Sequence, residues 1–216
     1  MALEMEIKAR VDDPEMLRVR LSDLGLYLGA YEKDDTYWFP AHGADSAGEN
    51  GPARPKLPPS GIRVRRERNT RDGGVSENVL VTWKTGNLDG GIEINDEMEF
   101  AVSDAGLFED LLERLGMRPG IRKNKQGWAW NCLSGDDCIR TELSNVRELG
   151  WFLELEITEE NAKKREEDPV REKDRRKRLL SLLEDLGIPR GRIESRPYTR
   201  MLSEKRENPS LRPDLT

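Results

Sequence analysis

The sequence predicts an α+β fold in which a β-sheet closes into a barrel and helices pack on its outside. Three observations carry that reading. Several stretches alternate strictly between charged and apolar residues, which is the period of a β-strand, so one strand face is all charge and the other all hydrocarbon. Segments with leucine stripes at helical spacing follow these strands and can cover the apolar faces from outside. The charges also segregate by strand into Glu-x-Glu, Arg-x-Arg and Lys-x-Lys, where a solvated surface would mix the signs. Charged faces turned inward would line a tunnel. The opposite arrangement, with charge outside and hydrocarbon inside, would describe an interaction protein without metal dependence.

Leu3-Glu4-Met5-Glu6-Ile7-Lys8 is the first strand, with Glu4, Glu6 and Lys8 on one face. Asp12-Asp13-Pro14 starts a helix with an acidic cap and a proline in the first turn. Met16, Leu17, Val19, Leu21 and Leu24 give it helical apolar spacing, and Gly25 stops it. Tyr31 to Phe39 has strand character. Residues 40–61, glycine-rich with prolines at 40, 52, 55, 58 and 59, read as a flexible loop, either disordered or a flap over an opening. Gly61 to Arg66 is a strand with Arg63 and Arg65 on one face; Asn69 to Gly74 is a turn. Val79 to Lys84 is the next strand, followed by a turn from Asn87 to Gly91. Asn95 to Phe100 repeats the Glu-x-Glu pattern at Glu97 and Glu99, and Leu107, Phe108, Leu111, Leu112 and Leu115 form a helical stripe ended by Gly116. Lys123 and Lys125 then share a strand face, and a hairpin returns through Arg140, Glu142 and Ser144. The third Glu-x-Glu strand carries Glu154 and Glu156. A helix is expected from Thr158-Glu159-Glu160, with a solvated charge run from Lys163 to Arg178 broken at Pro169. Leu179, Leu180, Leu182, Leu183 and Leu186 follow as an apolar stripe stopped by Gly187. A short helix, Tyr198 to Leu202, completes a single domain over 1–203, and 204–216 reads as a polar, frayed tail.

The chain has 216 residues, 35% hydrophobic and 36% charged, so it must present or enclose a great deal of charge. A net charge of -6 argues against a general nucleic-acid binder, which needs a positive surface to displace counterions. No run approaches the roughly 18 apolar residues of a membrane span. The N-terminus enters a strand with no signal-peptide core, so a cytoplasmic location is expected. Cys132 and Cys138 flank the turn at Ser134 to Asp137, which allows a cross-strand contact, and are read as two reduced thiols. One histidine, His42, nearly excludes a histidine metal site or a histidine-centred triad.

Buried carboxylate pairs are costly because each raises the pKa of its neighbour, and a hard divalent cation removes that cost. Adjacent Arg and Lys pairs suit a polyphosphate, which guanidinium forks and ammonium charges both bind. No Walker glycine loop is present. At this point the ordered motifs Glu4-Met5-Glu6-Ile7-Lys8, Asp34-Asp35-Thr36-Tyr37, Arg63-Val64-Arg65, Thr82-Trp83-Lys84, Glu97-Met98-Glu99, Lys123-Asn124-Lys125 with Trp128, Leu149-Gly150-Trp151-Phe152 with Glu154-Leu155-Glu156, and Ser195 to Leu202 resemble the CYTH superfamily, the triphosphate tunnel metalloenzymes. The resemblance covers nearly the whole chain. It departs from the pattern at Lys125, where the family usually has arginine, and at Ser144, where it usually has aspartate.

The resemblance implies a closed antiparallel barrel of about eight strands. It implies Mg²⁺ or Mn²⁺ on Glu4, Glu6, Glu154 and Glu156, with Glu142 in place of the missing aspartate and Glu97 or Glu99 as additional acids. It places Lys8, Arg63, Arg65, Lys84, Lys123, Lys125 and Arg140 on the triphosphate, with Lys8, Lys84 and Arg65 at the reacting phosphorus. The first expected activity is that of a class IV adenylyl cyclase, converting ATP to cyclic AMP and pyrophosphate. The alternatives are a tripolyphosphatase or thiamine triphosphatase, and a non-catalytic polyphosphate- or nucleotide-binding module. The partner expected is a nucleoside, inorganic or thiamine triphosphate, with no nucleic acid and no membrane; a homodimer is one option for the assembly.

Overall fold

A computed structural model describes residues 2–41, 61–159 and 169–207. The expected loop over 40–61, His42, the Lys163 end of the charge run and the far end of the tail therefore lie wholly or mostly outside the described residues.

Eight antiparallel strands close into one barrel: β1 (Ala2–Arg10), β2 (Gly25–Pro40), β3 (Ile62–Arg71), β4 (Gly74–Asp89), β5 (Ile92–Val102), β6 (Met117–Ser134), β7 (Asp137–Val146) and β8 (Gly150–Glu159). Around the barrel the order is β1-β5-β4-β3-β2-β6-β7-β8, and β8 pairs back onto β1. The strands outrun the turns expected from sequence. β3 and β4 continue to a two-residue turn at Asp72-Gly73, and β4 and β5 to one at Gly90-Gly91; all four central residues have positive φ. That backbone matches the right-handed twist of the flanking strands, so pairing continues up to the turn.

The barrel is hydrocarbon outside and charge inside. Met5 and Ile7 on β1, Leu143 on β7 and Leu153, Leu155 and Ile157 on β8 point outward into the main core. Helices α1 (Pro14–Leu24) and α3 (Pro169–Asp185) cover them with Leu17, Leu21, Leu179, Leu182 and Leu183, joined by Leu186 just past the end of α3. Each such leucine contributes about 1.5–3 kcal/mol by leaving water. Asp13 caps α1 as expected, its carboxylate accepting from the Met16 N–H. Gly25 ends α1 in extended backbone that becomes β2, and Met16, Val19 and Leu24 are exposed, so the α1 stripe is narrower than its sequence suggests.

Helix α2 (Ala105–Arg114) packs Ala105, Phe108 and Leu112 on Trp38, Val64 and Met117. Leu107, Leu111 and Leu115 remain 70%, 48% and 68% exposed, so only one edge of that stripe is buried. Thr158 and Glu159 belong to β8, and α3 begins at Pro169. The charge run is only partly solvated. Arg175 is buried between Glu159 (2.5 Å) and Asp137 (3.6 Å), while Arg178 reaches Asp137 and the Ser134 carbonyl oxygen. Helix α4 (Tyr198–Glu207) extends through Glu204, where a frayed tail was expected. It sits at one end of the barrel, packing Tyr198 and Met201 on Val146 and Phe152. Cys132 is buried and Cys138 exposed, and both are free thiols.

Candidate active site

The register explains how a sheet of this sequence becomes a tunnel. In β1 the side chains at 4, 6 and 8 face inward because 5, 7 and 9 are consumed by the outer core. The three Glu-x-Glu strands, remote in sequence, are neighbours in the order β8-β1-β5. They form one acidic arc: Glu154 and Glu156, then Glu4 and Glu6, then Glu93, Glu97 and Glu99. The opposite arc, β3-β2-β6, carries Arg63, Arg65, Lys33, Lys123 and Lys125. Strands β4 and β7 bridge the arcs with Lys84 and with Arg140 and Glu142. Every residue assigned to the site from sequence lines the same cavity of about 1340 Å³.

On the acidic side, Lys84 Nζ lies 2.5 Å from Glu4, 3.6 Å from Glu6 and 3.8 Å from Glu97. Burial pushes the Glu4 carboxyl well above its ordinary pKa against the pull of Lys84, and the charges of Glu6 and Glu156 push the same way. Burial also raises Glu6, again against Lys84, with Glu154 and Glu93 adding to the rise. Glu97 goes the other way: its contact with Glu4 and the charges of Lys84 and Arg63 overcome burial and hold it low. Lys8 reaches Glu93 at 3.2 Å. Arg63 donates to Thr82 Oγ1 at 2.9 Å and lies 3.5 and 3.4 Å from Glu97 and Glu99.

On the basic side, Arg65 grips Asp35 through Nε (2.7 Å) and Nη2 (3.0 Å), and Lys123 adds a third contact at 2.9 Å. Burial would raise Asp35, but Arg65 and Lys123 hold it well below the usual carboxylate range. Glu142 is held in the same way by Lys125, Lys33 and Arg140 against burial. Lys125 also pairs with Glu154, whose carboxyl is pulled to about 2 despite burial. Burial brings Lys33 down to about 8 although Glu142 opposes it.

Sequence reasoning gave no site role to Lys33, Asp35, Thr82 or Glu93, although Asp35 and Thr82 stand in the motifs that carry the resemblance. Tyr31, Lys33, Asp35 and Tyr37 occupy alternate positions of β2 and are all buried, so period 2 could have found them. Their mixed signs hid a pattern sought in like-charged pairs. Tyr198 and the segment from Ser195 to Ser203 also line the cavity, with the Tyr198 ring 4.7 Å from Lys8 Nζ and 5.0 Å from Lys123 Nζ.

The donor set on the acidic arc fits a hard divalent cation, being carboxylate oxygen, with Glu4, Glu6 and Glu97 all drawn to the Lys84 ammonium. In the arrangement seen, those oxygens serve lysines, and no three acidic side chains among the described residues already converge to coordinate one ion.

Comparison of the sequence with known families and with characterised proteins finds no match. Solved structures do match. The PH1819 protein of Pyrococcus horikoshii superposes with a TM-score of 0.68 at 19% identity, over 94% of this chain and 99% of that one. A candidate adenylate cyclase from Vibrio parahaemolyticus gives 0.64 at 15% identity, over 93% and 98%. HpAC1 of Hippeastrum, described as having a dominant triphosphatase activity, gives 0.56 at 14% identity, over 96% of each chain. At these identities the likeness carries the fold alone: a closed antiparallel barrel with helices outside, shared by this chain and these proteins over nearly their whole lengths.

Proposed function

We propose that this protein is a divalent-metal-dependent enzyme that acts on a triphosphate inside the tunnel, and that its first substrate is ATP, converted to cyclic AMP and pyrophosphate. One observation carries the reading. An acidic arc and a basic arc face each other across a single cavity of about 1340 Å³, which suits a metal–polyphosphate sandwiched between opposite charges. Glu4, Glu6 and Glu156 would hold the ion, with Glu97 beside them. Bound Mg²⁺ or Mn²⁺ would neutralise charge on the phosphate oxygens.

The chain's own residues do the rest. Arg63, Arg65, Lys123 and Lys125 bind and orient the triphosphate from the opposite wall, so the reacting phosphorus is presented in line. Lys84 and Lys8, on the acidic side, meet the charge that develops on the phosphate oxygens. In the cyclase reaction the ribose 3'-hydroxyl oxygen bonds to the α-phosphorus, the bond to the β-phosphate oxygen breaks, and the hydroxyl proton is released. Tyr37, Phe39 and Ile121 give the basic wall an apolar shoulder against which a purine can rest. Glycines at 61 and 120 leave room for the Phe39 ring, since a Cβ at either would approach it within 3 Å.

The second reading is hydrolysis of the terminal phosphate of tripolyphosphate or thiamine triphosphate. It is supported by the triphosphatase activity described for HpAC1, which has the same fold. The test incubates the protein with Mg²⁺ or Mn²⁺ and, separately, ATP, tripolyphosphate and thiamine triphosphate. Cyclic AMP selects the cyclase and phosphate release the hydrolase. No turnover of any of the three would reject the enzyme reading.

A further inference from the structure

We infer that Glu142 is the fixed counter-ion of a three-cation cradle, and not a metal ligand; Lys33, Lys125 and Arg140 in that cradle take one phosphate group of the substrate. The inference rests on the triphosphate reading above and reassigns a residue that the sequence had placed on the metal. It starts from register. Lys33 on β2 and Lys125 on β6 are direct cross-strand partners, both inward and both buried. Like charges directly opposite each other repel and destabilise the pairing. Glu142 resolves the conflict. Its Oε1 accepts from Lys33 at 2.7 Å and from Arg140 at 3.1 Å, and its Oε2 accepts from Lys33 at 3.0 Å and from Lys125 at 3.0 Å.

A carboxylate offers about four lone-pair positions, and here four donor contacts use them. To ligate a cation, Glu142 would have to release two buried ammonium groups that face each other. Glu4 and Glu6 stand in the opposite situation, crowded by other carboxylates and sharing Lys84. Ser144, two residues along β7, is fully buried and brings no carboxylate. Three cations against Glu142 and the shared Glu154 leave the cradle net positive, and all of these residues line the cavity. Two ammonium groups and a guanidinium suit the spread charge of a phosphate group.

The experiment uses the full chain, with Mn²⁺ binding read by the electron spin resonance of the free ion and binding of inorganic tripolyphosphate read calorimetrically in EDTA. Glu142→Gln is expected to keep Mn²⁺ affinity close to that of the parent, while Glu6→Gln weakens it by about tenfold or more. Lys33→Met is expected to weaken metal-free tripolyphosphate binding by about tenfold, the loss of one charge-assisted contact. The double variant Lys33→Met/Glu142→Met removes one opposite pair together and keeps the net charge, so it supplies the Mn²⁺ result if the single Glu142 variant does not fold. Mn²⁺ affinity that falls as far in the Glu142 variants as in Glu6→Gln overturns the inference, as does unchanged tripolyphosphate binding in Lys33→Met. If Glu6→Gln also leaves Mn²⁺ binding intact, the metal assignment on the acidic arc fails, and the Lys33 titration still judges the cradle on its own.

Discussion

Replacing Asp35 by Asn keeps the shape of the side chain and removes its charge, and the consequence follows from what that charge compensates. The Asp35 side chain is fully enclosed, at 0% exposure. It accepts a two-pronged contact from Arg65 at 2.7 and 3.0 Å and a third from Lys123 at 2.9 Å. Among the described residues both cations pair with Asp35 alone, so the change strands two buried positive groups side by side. Removing one partner of a buried ion pair costs about 3–5 kcal/mol. For a chain of this size each kcal/mol moves the melting midpoint by roughly 2–4 °C, so a drop of about 6–20 °C is expected. Urea unfolding at pH 7 measures the loss directly.

The sign of the pH dependence is fixed by the same contacts. Asp35 is held below its ordinary value, so its contribution is complete above about pH 3.9 and is lost only as pH falls through the lower folded value. The gap between parent and variant should therefore be constant from pH 7 to 5 and shrink only in strong acid. Tripolyphosphate supplies the missing anion, so it should raise the midpoint of the variant more than that of the parent; at a hundredfold excess over Kd, binding alone stabilises by about 2.7 kcal/mol. A loss under about 1 kcal/mol at pH 7, without a larger rescue by tripolyphosphate, refutes the picture of a basic wall organised by its own carboxylates.

Three further outcomes are expected. Glu4 is held above its ordinary value, so its contribution is complete below the usual carboxylate range and is lost as pH rises through the folded value. At pH 8, without metal, Glu4→Gln should thus resist urea better than the parent, and saturating Mg²⁺ should close or reverse the gap. At Gly127, on β6 opposite Ser144, a Cβ would come within 2.0 Å of the Leu143 carbonyl oxygen; Gly127→Ala should cost about 1–3 kcal/mol or more in thermal unfolding. Leu183 is fully buried on the barrel-facing side of α3, so Leu183→Ala should lose about 2–5 kcal/mol while leaving Mn²⁺ affinity unchanged.

What the sequence disclosed, and what it hid, follows from how strongly each residue is constrained. β1 is legible because both of its faces are committed: Met5 and Ile7 to the outer core, Glu4 and Glu6 to the tunnel. The outer halves of β3 and β4 are not, because residues such as Arg68, Thr70, Val75 and Glu77 stand clear of both core and tunnel, and there alternation carries no information. Their length is set by the Asp72-Gly73 turn, whose positive φ values only the dipeptide hints at. The α2 stripe misleads for a related reason. Leucine at helical spacing records helix propensity as well as burial, and Leu107, Leu111 and Leu115 are exposed. In the site, like-charged pairs announced themselves, whereas Lys33 and Asp35 did not. Asp35 has its partners on the adjacent strands β3 and β6 and Lys33 has its partner on β7, and a sequence without register does not connect them.

A barrel built this way inverts the usual relation between stability and function. Its favourable burial lies outside, between the strands and the helices, where Ile7, Leu21, Leu155 and Leu183 exclude water completely. Its interior is a set of charges that compensate one another only in part. The basic wall carries its own counter-ions in Asp35 and Glu142, and can stand without ligand. The acidic wall has Lys84 against Glu4, Glu6 and Glu97; burial, with the neighbouring carboxylates, outweighs that lysine and leaves Glu4 and Glu6 above their ordinary pKa. A divalent cation would relieve that excess, and the phosphate it carries would relieve the remaining positive charge opposite. Ligand binding and folding are then coupled through the acidic wall far more than through the basic one. Divalent ions should therefore protect the amides of β1 against hydrogen exchange more strongly than those of β2. Equal protection of the two strands would mean that the burial and crowding of Glu4 and Glu6 do not govern the stability of the barrel.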